Sequence, residues 1–191
     1  MISGPAYSLQ ELPQLPDLEE IPVSQELVFY DVEGRTQRAL NQNLRLNGPL
    51  GYDAETRYEI STYYEFTQSD SECRLTYLEV PLHITITYPN WVDVDRASRR
   101  RRVAWERRVE VLQVHENGHA LLAWVGATEL RNSVIQQGEA ENCETLSSQI
   151  NSAQEEAHEH MRAKQREYDR ITSHGVEQSA YDWTPILGVQ E

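Results

Sequence analysis

The order of hydrophobic patterns along the chain predicts an α+β fold, in which an N-terminal antiparallel β-sheet region precedes two long helices. Apolar and polar residues alternate in residues 56–67 and 73–87, as they do in strands that bury one face. From about Ala97 to Gln137, apolar residues recur at three- and four-residue steps, the period of an amphipathic helix. After a break at Gly138, a second helical stretch runs from about Glu141 to Tyr168 and can return antiparallel to the first.

The chain ahead of these elements begins with a proline-rich segment. Four prolines fall within residues 2–24 and block regular structure there. We therefore expect an extended arm over residues 1–24 and a single domain over residues 25–191. Within that domain, residues 27–32 form a β-like run, and residues 36–46 predict a short helix that ends at Asn47-Gly48-Pro49.

The composition is that of a globular protein with an acidic surface. Hydrophobic residues make up 39% of the 191 residues and charged residues 25%, which excludes a disordered chain. The net charge of −14 argues against a nucleic-acid partner, because such a partner favours a basic surface. No apolar run is long enough to span a bilayer.

Arginines nevertheless cluster at the start of the long helix, at residues 99–102. A basic run of this kind could bind a phosphate or carboxylate group. Because Glu106 and Glu110 follow on the next turns, we favour a solvated helix face on which opposite charges pair.

The long helix also carries the sequence His115-Glu116-x-x-His119. Residues four apart project from one face of a helix, so both imidazoles can bind one metal ion. Glu116 can then take a proton from a water molecule that the ion activates. Leu112 and Leu122 share the same period, which places the motif on the buried face. The alternative is a pair of core histidines satisfied by hydrogen bonds. We disfavour it because two histidines and a carboxylate are costly to bury without a metal.

A catalytic zinc ion takes three protein ligands and keeps one position for water, and the motif supplies only two of the three. One option for the third is a glutamate near the start of the second helix, such as Glu139, Glu141 or Glu144. The other is His174, which follows directly on the second helix and would return near His115 if the helices are antiparallel. We favour His174.

Cys73 and Cys143 are the only cysteines, and their separation excludes a C-x-x-C zinc site. They could form one disulfide in an exported protein, or remain two buried thiols. Residues 1–8 lack the basic start and apolar core of a signal peptide, so the sequence as given is expected to carry no export signal.

Three segments carry a resemblance to a known family: residues 105–119, Cys143, and the run Tyr168-Asp169-x-x-Thr172-x-His174-Gly175. With the β-rich first half that ends in Pro89-Asn90-Trp91, they resemble the predicted secreted zinc-dependent proteases of bacteria, among the H-E-x-x-H metallopeptidases. The resemblance covers roughly Val28 to Trp183.

This resemblance implies a zincin-like fold, zinc bound by His115 and His119, Glu116 as general base, and His174 as the third ligand. It also implies a secreted or periplasmic location, and with it a Cys73–Cys143 disulfide. The chain departs from the family pattern in lacking an export signal and in having Ser179 after Gln178, where family members often have glycine.

We therefore expect a zinc hydrolase, and specifically a peptidase that acts on a peptide or protein substrate. Tyr168 or Tyr181 is a candidate hydrogen-bond donor to the oxyanion of the reaction. The alternative is a non-catalytic zinc-containing binding module of the cell envelope, which a closed site with four protein ligands would favour. A third hypothesis is a cytosolic metallopeptidase, which reduced and distant cysteines would favour. The sequence gives no indication of the oligomeric state.

Overall fold

The computed structural model describes residues 21–183, and the predicted α+β fold is confirmed. Most of the predicted N-terminal arm lies outside the described residues, and the first strand begins at Val23, just inside the predicted arm. The elements are β1 (Val23–Val32), α1 (Gln37–Asn47), β2 (Glu55–Ile60), β3 (Tyr63–Gln68), β4 (Cys73–Glu79), β5 (Leu82–Trp91), α2 (Arg99–Gln136), β6 (Glu139–Ala140) and α3 (Cys143–Thr172).

Each of the two long predicted strands is divided in two. The breaks fall at residues 61–62 and 80–81, and Pro81 cannot donate a ladder hydrogen bond because it has no N–H. The halves pair antiparallel as a hairpin would, but in two separate sheets: β2 pairs with β5, and β3 pairs with β4. The predicted hairpin is therefore correct in direction and wrong in continuity.

The first sheet has the strand order β1-β5-β2, and the second has the order β3-β4-β6. In the first sheet β1 runs parallel to β5, so the predicted antiparallel region includes one parallel pair and this sheet is mixed. The central position of β5 explains its apolar alternation: Leu82, Ile84 and Ile86 are buried, and the residues between them are more exposed.

Helix α2 lies between the first sheet and α3. Small side chains at Ala120, Ala123 and Ala127 are fully buried in the main core with the apolar residues of β5, so the helix can approach the sheet closely. The opposite flank of α2 packs on α3. Gly126 faces Met161 there, and the Met161 sulfur would lie 2.6 Å from a Cβ added at Gly126.

The contacts between α2 and α3 show that the two helices run in opposite directions, because later residues of α3 meet earlier residues of α2. Lys164 of α3 binds Glu129 of α2, whereas Tyr168 of α3 binds the backbone of His115. The predicted antiparallel arrangement of the two helices is therefore confirmed. Helix α3 continues to Thr172, a turn beyond its predicted end at Tyr168, and this extension places Asp169 on the helix.

A second, smaller core lies at the start of α2. Trp91 at the end of β5 and Trp105 of α2 meet edge to face, with ring centroids 5.6 Å apart. Val32, Leu40 and Leu44 complete this core, so α1 is fixed against the first turns of α2.

A disulfide between Cys73 and Cys143 links β4 to the first residue of α3. The disulfide predicted from the family resemblance is therefore confirmed. Among residues 21–183, no helix combines the length and apolar character needed to cross a membrane.

Candidate metal centre

The two histidines of the motif lie one helical turn apart on the flank of α2 that faces α3. Their ring centroids are 4.7 Å apart, and their Nε2 atoms are separated by 3.2 Å. His115 is 5% exposed, so this flank is buried as the periodicity of α2 predicts. Both rings therefore direct the same nitrogen at one point between the helices.

Asp169 of α3 brings a carboxylate to the same point. Its Oδ1 atom lies 3.1 Å from His115 Nε2 and 3.0 Å from His119 Nε2. Among the described residues, these three form the group of potential metal ligands whose ligand atoms converge. Asp169 belongs to the downstream motif of the resemblance, but the sequence alone assigns it no role.

The outer nitrogens of both rings face acceptors on α3. His119 Nδ1 contacts Gln165 Oε1, and the amide nitrogen of Gln165 donates to the backbone oxygen of His119 at 3.1 Å. Because a carbonyl oxygen needs a donor, that second contact fixes which end of the amide faces the ring. Nδ1 of His119 therefore carries a hydrogen, and Nε2 of the neutral ring is a bare acceptor.

His115 follows the same pattern less tightly. Its Nδ1 lies 3.5 Å from the hydroxyl oxygen of Thr172, and that hydroxyl donates to the backbone oxygen of Tyr168 at 2.7 Å. Since the Thr172 hydrogen is already used, its oxygen can only accept from the ring. With both rings neutral, two bare nitrogens and a carboxylate oxygen converge, and this set could hold a cation; without one, a proton on Nε2 of a ring can hydrogen-bond to Asp169 instead.

The electrostatics of Asp169 and His119 fit a site that could hold a cation. Burial alone would raise the pKa of the Asp169 carboxyl, but hydrogen bonds with His115 and His119 hold it well below its usual range. Burial lowers the pKa of His119, yet its hydrogen bonds with Asp169 and Gln165 outweigh burial and raise it. The site thus favours positive charge next to an ionised carboxylate.

Glu116 faces away from α3, towards the first sheet. It is 3% exposed, and its Oε2 atom accepts a hydrogen bond of 2.8 Å from the hydroxyl of Thr56 in β2. Burial raises the pKa of Glu116, and the charge of His119 and the bond from Thr56 offset part of that rise. Thr56 could not be identified from the sequence, because no local pattern links a strand residue to a helix residue 60 positions away.

Tyr168 supports His115 from behind. The two rings stack at 5.0 Å with an interplanar angle of 14°, and the tyrosine hydroxyl donates to the backbone oxygen of His115 at 3.2 Å. Its oxygen accepts a hydrogen bond from Gln178. This hydroxyl is buried and already bonded within the protein, which argues against Tyr168 as the hydrogen-bond donor to an oxyanion. Tyr181 packs edge to face on Tyr168, with its centroid 4.9 Å away, and belongs to the same support.

Two glycines permit this close packing. A Cβ on Gly118 would lie 2.1 Å from the Tyr168 hydroxyl oxygen. Gly175 has a φ of +88°, and a Cβ there would lie 3.1 Å from the His115 ring. Most residues of the downstream motif therefore contact His115. These residues are Tyr168, Asp169, Thr172 and Gly175.

His174 lies at the edge of this centre. It follows the left-handed Ser173 that ends α3, its own φ is also positive, and its side chain is 59% exposed. Its Nδ1 is 3.4 Å from Asp169 Oδ1, and its ring is 5.6 Å from that of Tyr52. The structure thus brings His174 to the carboxylate, but Asp169 occupies the place predicted for it between the imidazoles.

The glutamates considered as third ligands lie at the wrong end of α3. Glu144 is in the first turn of α3, and 25 residues of helix place it about 38 Å from Asp169. Glu139 belongs to β6 and pairs with Arg74 at 3.3 Å. Glu141 lies between β6 and the start of α3. These alternatives are excluded by distance.

A family model for bacterial proteins of unknown function (DUF922) matches residues 27–175. The chain belongs to the DUF922 family. The matched region of this DUF922 chain runs from within β1 to Gly175. It therefore contains His115, Glu116, His119 and Asp169. Comparisons with curated proteins and with solved structures found no match.

Proposed function

We propose that this DUF922 protein is a zinc-dependent peptidase, in which His115, His119 and Asp169 hold the metal and Glu116 is the general base. The observation that carries the proposal is the convergence of three acceptor atoms, with each imidazole fixed from behind by an acceptor on α3. If both rings carried a proton on Nε2, two N–H groups would face each other with their nitrogens 3.2 Å apart. A cation bound to the two bare nitrogens avoids this repulsion.

The spacing of the three atoms supports zinc in particular. Ligands about 2.0–2.1 Å from a tetrahedral ion stand about 3.3 Å apart. The three separations here are 3.0, 3.1 and 3.2 Å, slightly shorter than that value. Two imidazole nitrogens and one carboxylate oxygen are also a ligand set that suits zinc, and three protein ligands leave a position for water.

The side chains around this set have complementary tasks in the proposed reaction. Zinc, when bound, would acidify a water molecule and polarise the carbonyl of a peptide bond. Glu116 accepts the proton from the water, and its raised pKa favours holding that proton until the amine leaves. Thr56 orients the Glu116 carboxylate through its hydrogen bond. The choice of a peptide as substrate is supported by the H-E-x-x-H pattern on a helix, which is typical of metallopeptidases.

We also propose that the protein works outside the cytoplasm, in a secreted or periplasmic location. The Cys73–Cys143 disulfide supports this location, because such bonds persist mainly in oxidising compartments. It argues against the cytosolic metallopeptidase considered from the sequence.

The proposal is tested by zinc content and by cleavage of casein or a peptide library. Glu116→Gln should bind zinc like the wild type and lose cleavage, because the amide cannot accept the proton. Asp169→Ala should lose both zinc and cleavage. His160→Ala, which removes an exposed histidine of α3 outside the centre, is the matched control and should change neither. Equal cleavage by wild type and Glu116→Gln would reject the mechanism.

His174 gives a second candidate function a specific basis. Its Nδ1 lies 3.4 Å from Asp169 Oδ1, so it could complete a closed, four-ligand zinc site of a non-catalytic binding module. Under that function His174→Ala would weaken zinc binding and no variant would affect cleavage, since the wild type would have none. Under the peptidase proposal His174→Ala keeps its zinc.

A further inference from the structure

We propose that the end of the domain opposite the second sheet is a docking surface for the anionic headgroups of a lipid bilayer. This surface, here named the arginine face, consists of residues 33–48 and 92–108, which include α1 and the first turns of α2. The inference does not depend on the proposed peptidase activity.

Charge is strongly segregated between this face and the rest of the chain. Residues 33–48 and 92–108 contain ten arginines and four acidic residues, a net charge of +6. Residues 21–183 have a net charge of −9, so the described residues outside this face together carry −15. An anionic surface would therefore attract this end of the molecule and repel the other, which fixes one orientation.

The arginines at the start of α2 do not form the predicted ion pairs with Glu106 and Glu110. Within residues 21–183, Arg99 and Arg100 contact no carboxylate, and neither Glu106 nor Glu110 forms an ion pair. The first turn of α2 contains no acidic residue, and the Ser98 side chain makes no capping hydrogen bond. Cations at the N-terminus of a helix oppose the helix dipole. An external anion at this position would be attracted by the arginine charges and by the positive end of the dipole.

Arg101 and Trp91 show how a phosphate oxygen could be received. The Arg101 guanidinium lies over the Trp91 ring at 4.8 Å and donates to the backbone oxygens of Arg35 and Gly34. Its Nε and the indole nitrogen of Trp91, a residue only 1% exposed, are buried donors without an acceptor in the described part of the chain. Both residues line a cavity of about 370 Å³, together with Arg96.

Exposed aliphatic side chains on the arginine face favour a bilayer over a soluble polyanion as its partner. Leu46 is 72% exposed and Val92 is 48% exposed, and both line a second cavity, of about 570 Å³, which shares Gly34, Arg35 and Asp93 with the first. Aliphatic groups among basic ones are the composition of surfaces that rest in the headgroup region. Arg100 is 16 residues before Glu116 on α2, about 24 Å along the helix, so docking leaves the metal centre free.

The test is sedimentation of the full chain with vesicles of phosphatidylcholine, with and without phosphatidylglycerol. We expect binding that requires phosphatidylglycerol and weakens with salt. Arg99→Gln/Arg100→Gln should lower the partition coefficient roughly 30-fold, a factor of about five for each charge. Arg162→Gln/Arg166→Gln on α3 removes two exposed, unpaired charges elsewhere and should bind like the wild type. Equal binding to both kinds of vesicle, or an equal loss in the control, would overturn the proposal.

Two further measurements separate the bilayer from other anions. Leu46→Ser should weaken vesicle binding without changing the binding of inorganic phosphate measured by calorimetry. Binding of inorganic phosphate or of duplex DNA without any binding to vesicles would overturn the bilayer assignment. The melting temperature of Arg99→Gln/Arg100→Gln should be unchanged or higher, because the substitution removes cations from the positive end of α2.

Discussion

Substitution of Gly118 by alanine should loosen the metal centre from behind. The new Cβ would lie 2.1 Å from the hydroxyl oxygen and 2.4 Å from Cζ of Tyr168, so the ring must retreat by more than about 1 Å to reach ordinary contact. Tyr168 is fully buried and stacked on His115, and it has no flexible end that could yield.

The expected magnitude follows from three contributions. Alanine in place of glycine favours the helix by about 1 kcal/mol. Overpacking against a rigid ring costs about 1–3 kcal/mol, and loss of the Tyr168 bond to the His115 carbonyl costs about 1 kcal/mol. We therefore expect Gly118→Ala to lower the free energy of unfolding by about 1–3 kcal/mol, and to weaken zinc binding because His115 loses its support.

Gly126 provides the matched control on the same helix. There an added Cβ would meet the Met161 sulfur at 2.6 Å, and this flexible thioether can move aside. Gly126→Ala should therefore stay within about 1 kcal/mol of the wild type. Both variants are compared by urea denaturation in the presence of a chelator, followed by zinc titration. The reasoning is refuted if Gly118→Ala is as stable as Gly126→Ala and binds zinc as tightly as the wild type.

Three more outcomes are expected. Replacing Cys73 and Cys143 by alanine should lower the free energy of unfolding by about 4 kcal/mol, because the bond closes a loop with a sequence separation of 70; urea denaturation of the two proteins measures this. Gln165→Leu should weaken zinc binding by about 10- to 100-fold in competition with a chromophoric chelator, because His119 loses the acceptor that orients its ring, and Gln165→Glu should not. Thr56→Val should move the acid limb of the activity profile to higher pH, because the hydrogen bond from Thr56 lowers the pKa of Glu116; an unmoved limb would show that Glu116 is not the titrating base.

Features that depend on residues close in sequence could be predicted from the sequence. The two imidazoles share a face because they are four apart on a helix, and that spacing is a local property of α2. The inward alternation of Leu82, Ile84 and Ile86 is likewise local, since every second residue of a strand faces the same side.

Features that depend on the register of distant elements could not be predicted in this way. Asp169 meets the histidines only because α3 is antiparallel to α2, has a particular offset and extends to Thr172. The parallel pairing of β1 with β5 has no signature in either strand, because the alternation of side chains is the same for both directions. His174 follows α3 as expected, but after two residues with left-handed backbone its ring lies beside Asp169, with Nδ1 3.4 Å from Oδ1, and its side chain is 59% exposed.

The position of Asp169 so late in the chain has a consequence for the life of the protein. During synthesis, His119 is made 50 residues before the carboxylate that completes its group. A nascent or truncated chain that ends before α3 therefore has only two of the three proposed ligands, and it would hold zinc weakly. The chemistry proposed for the mature protein would thus be acquired last, after the hairpin of helices has closed.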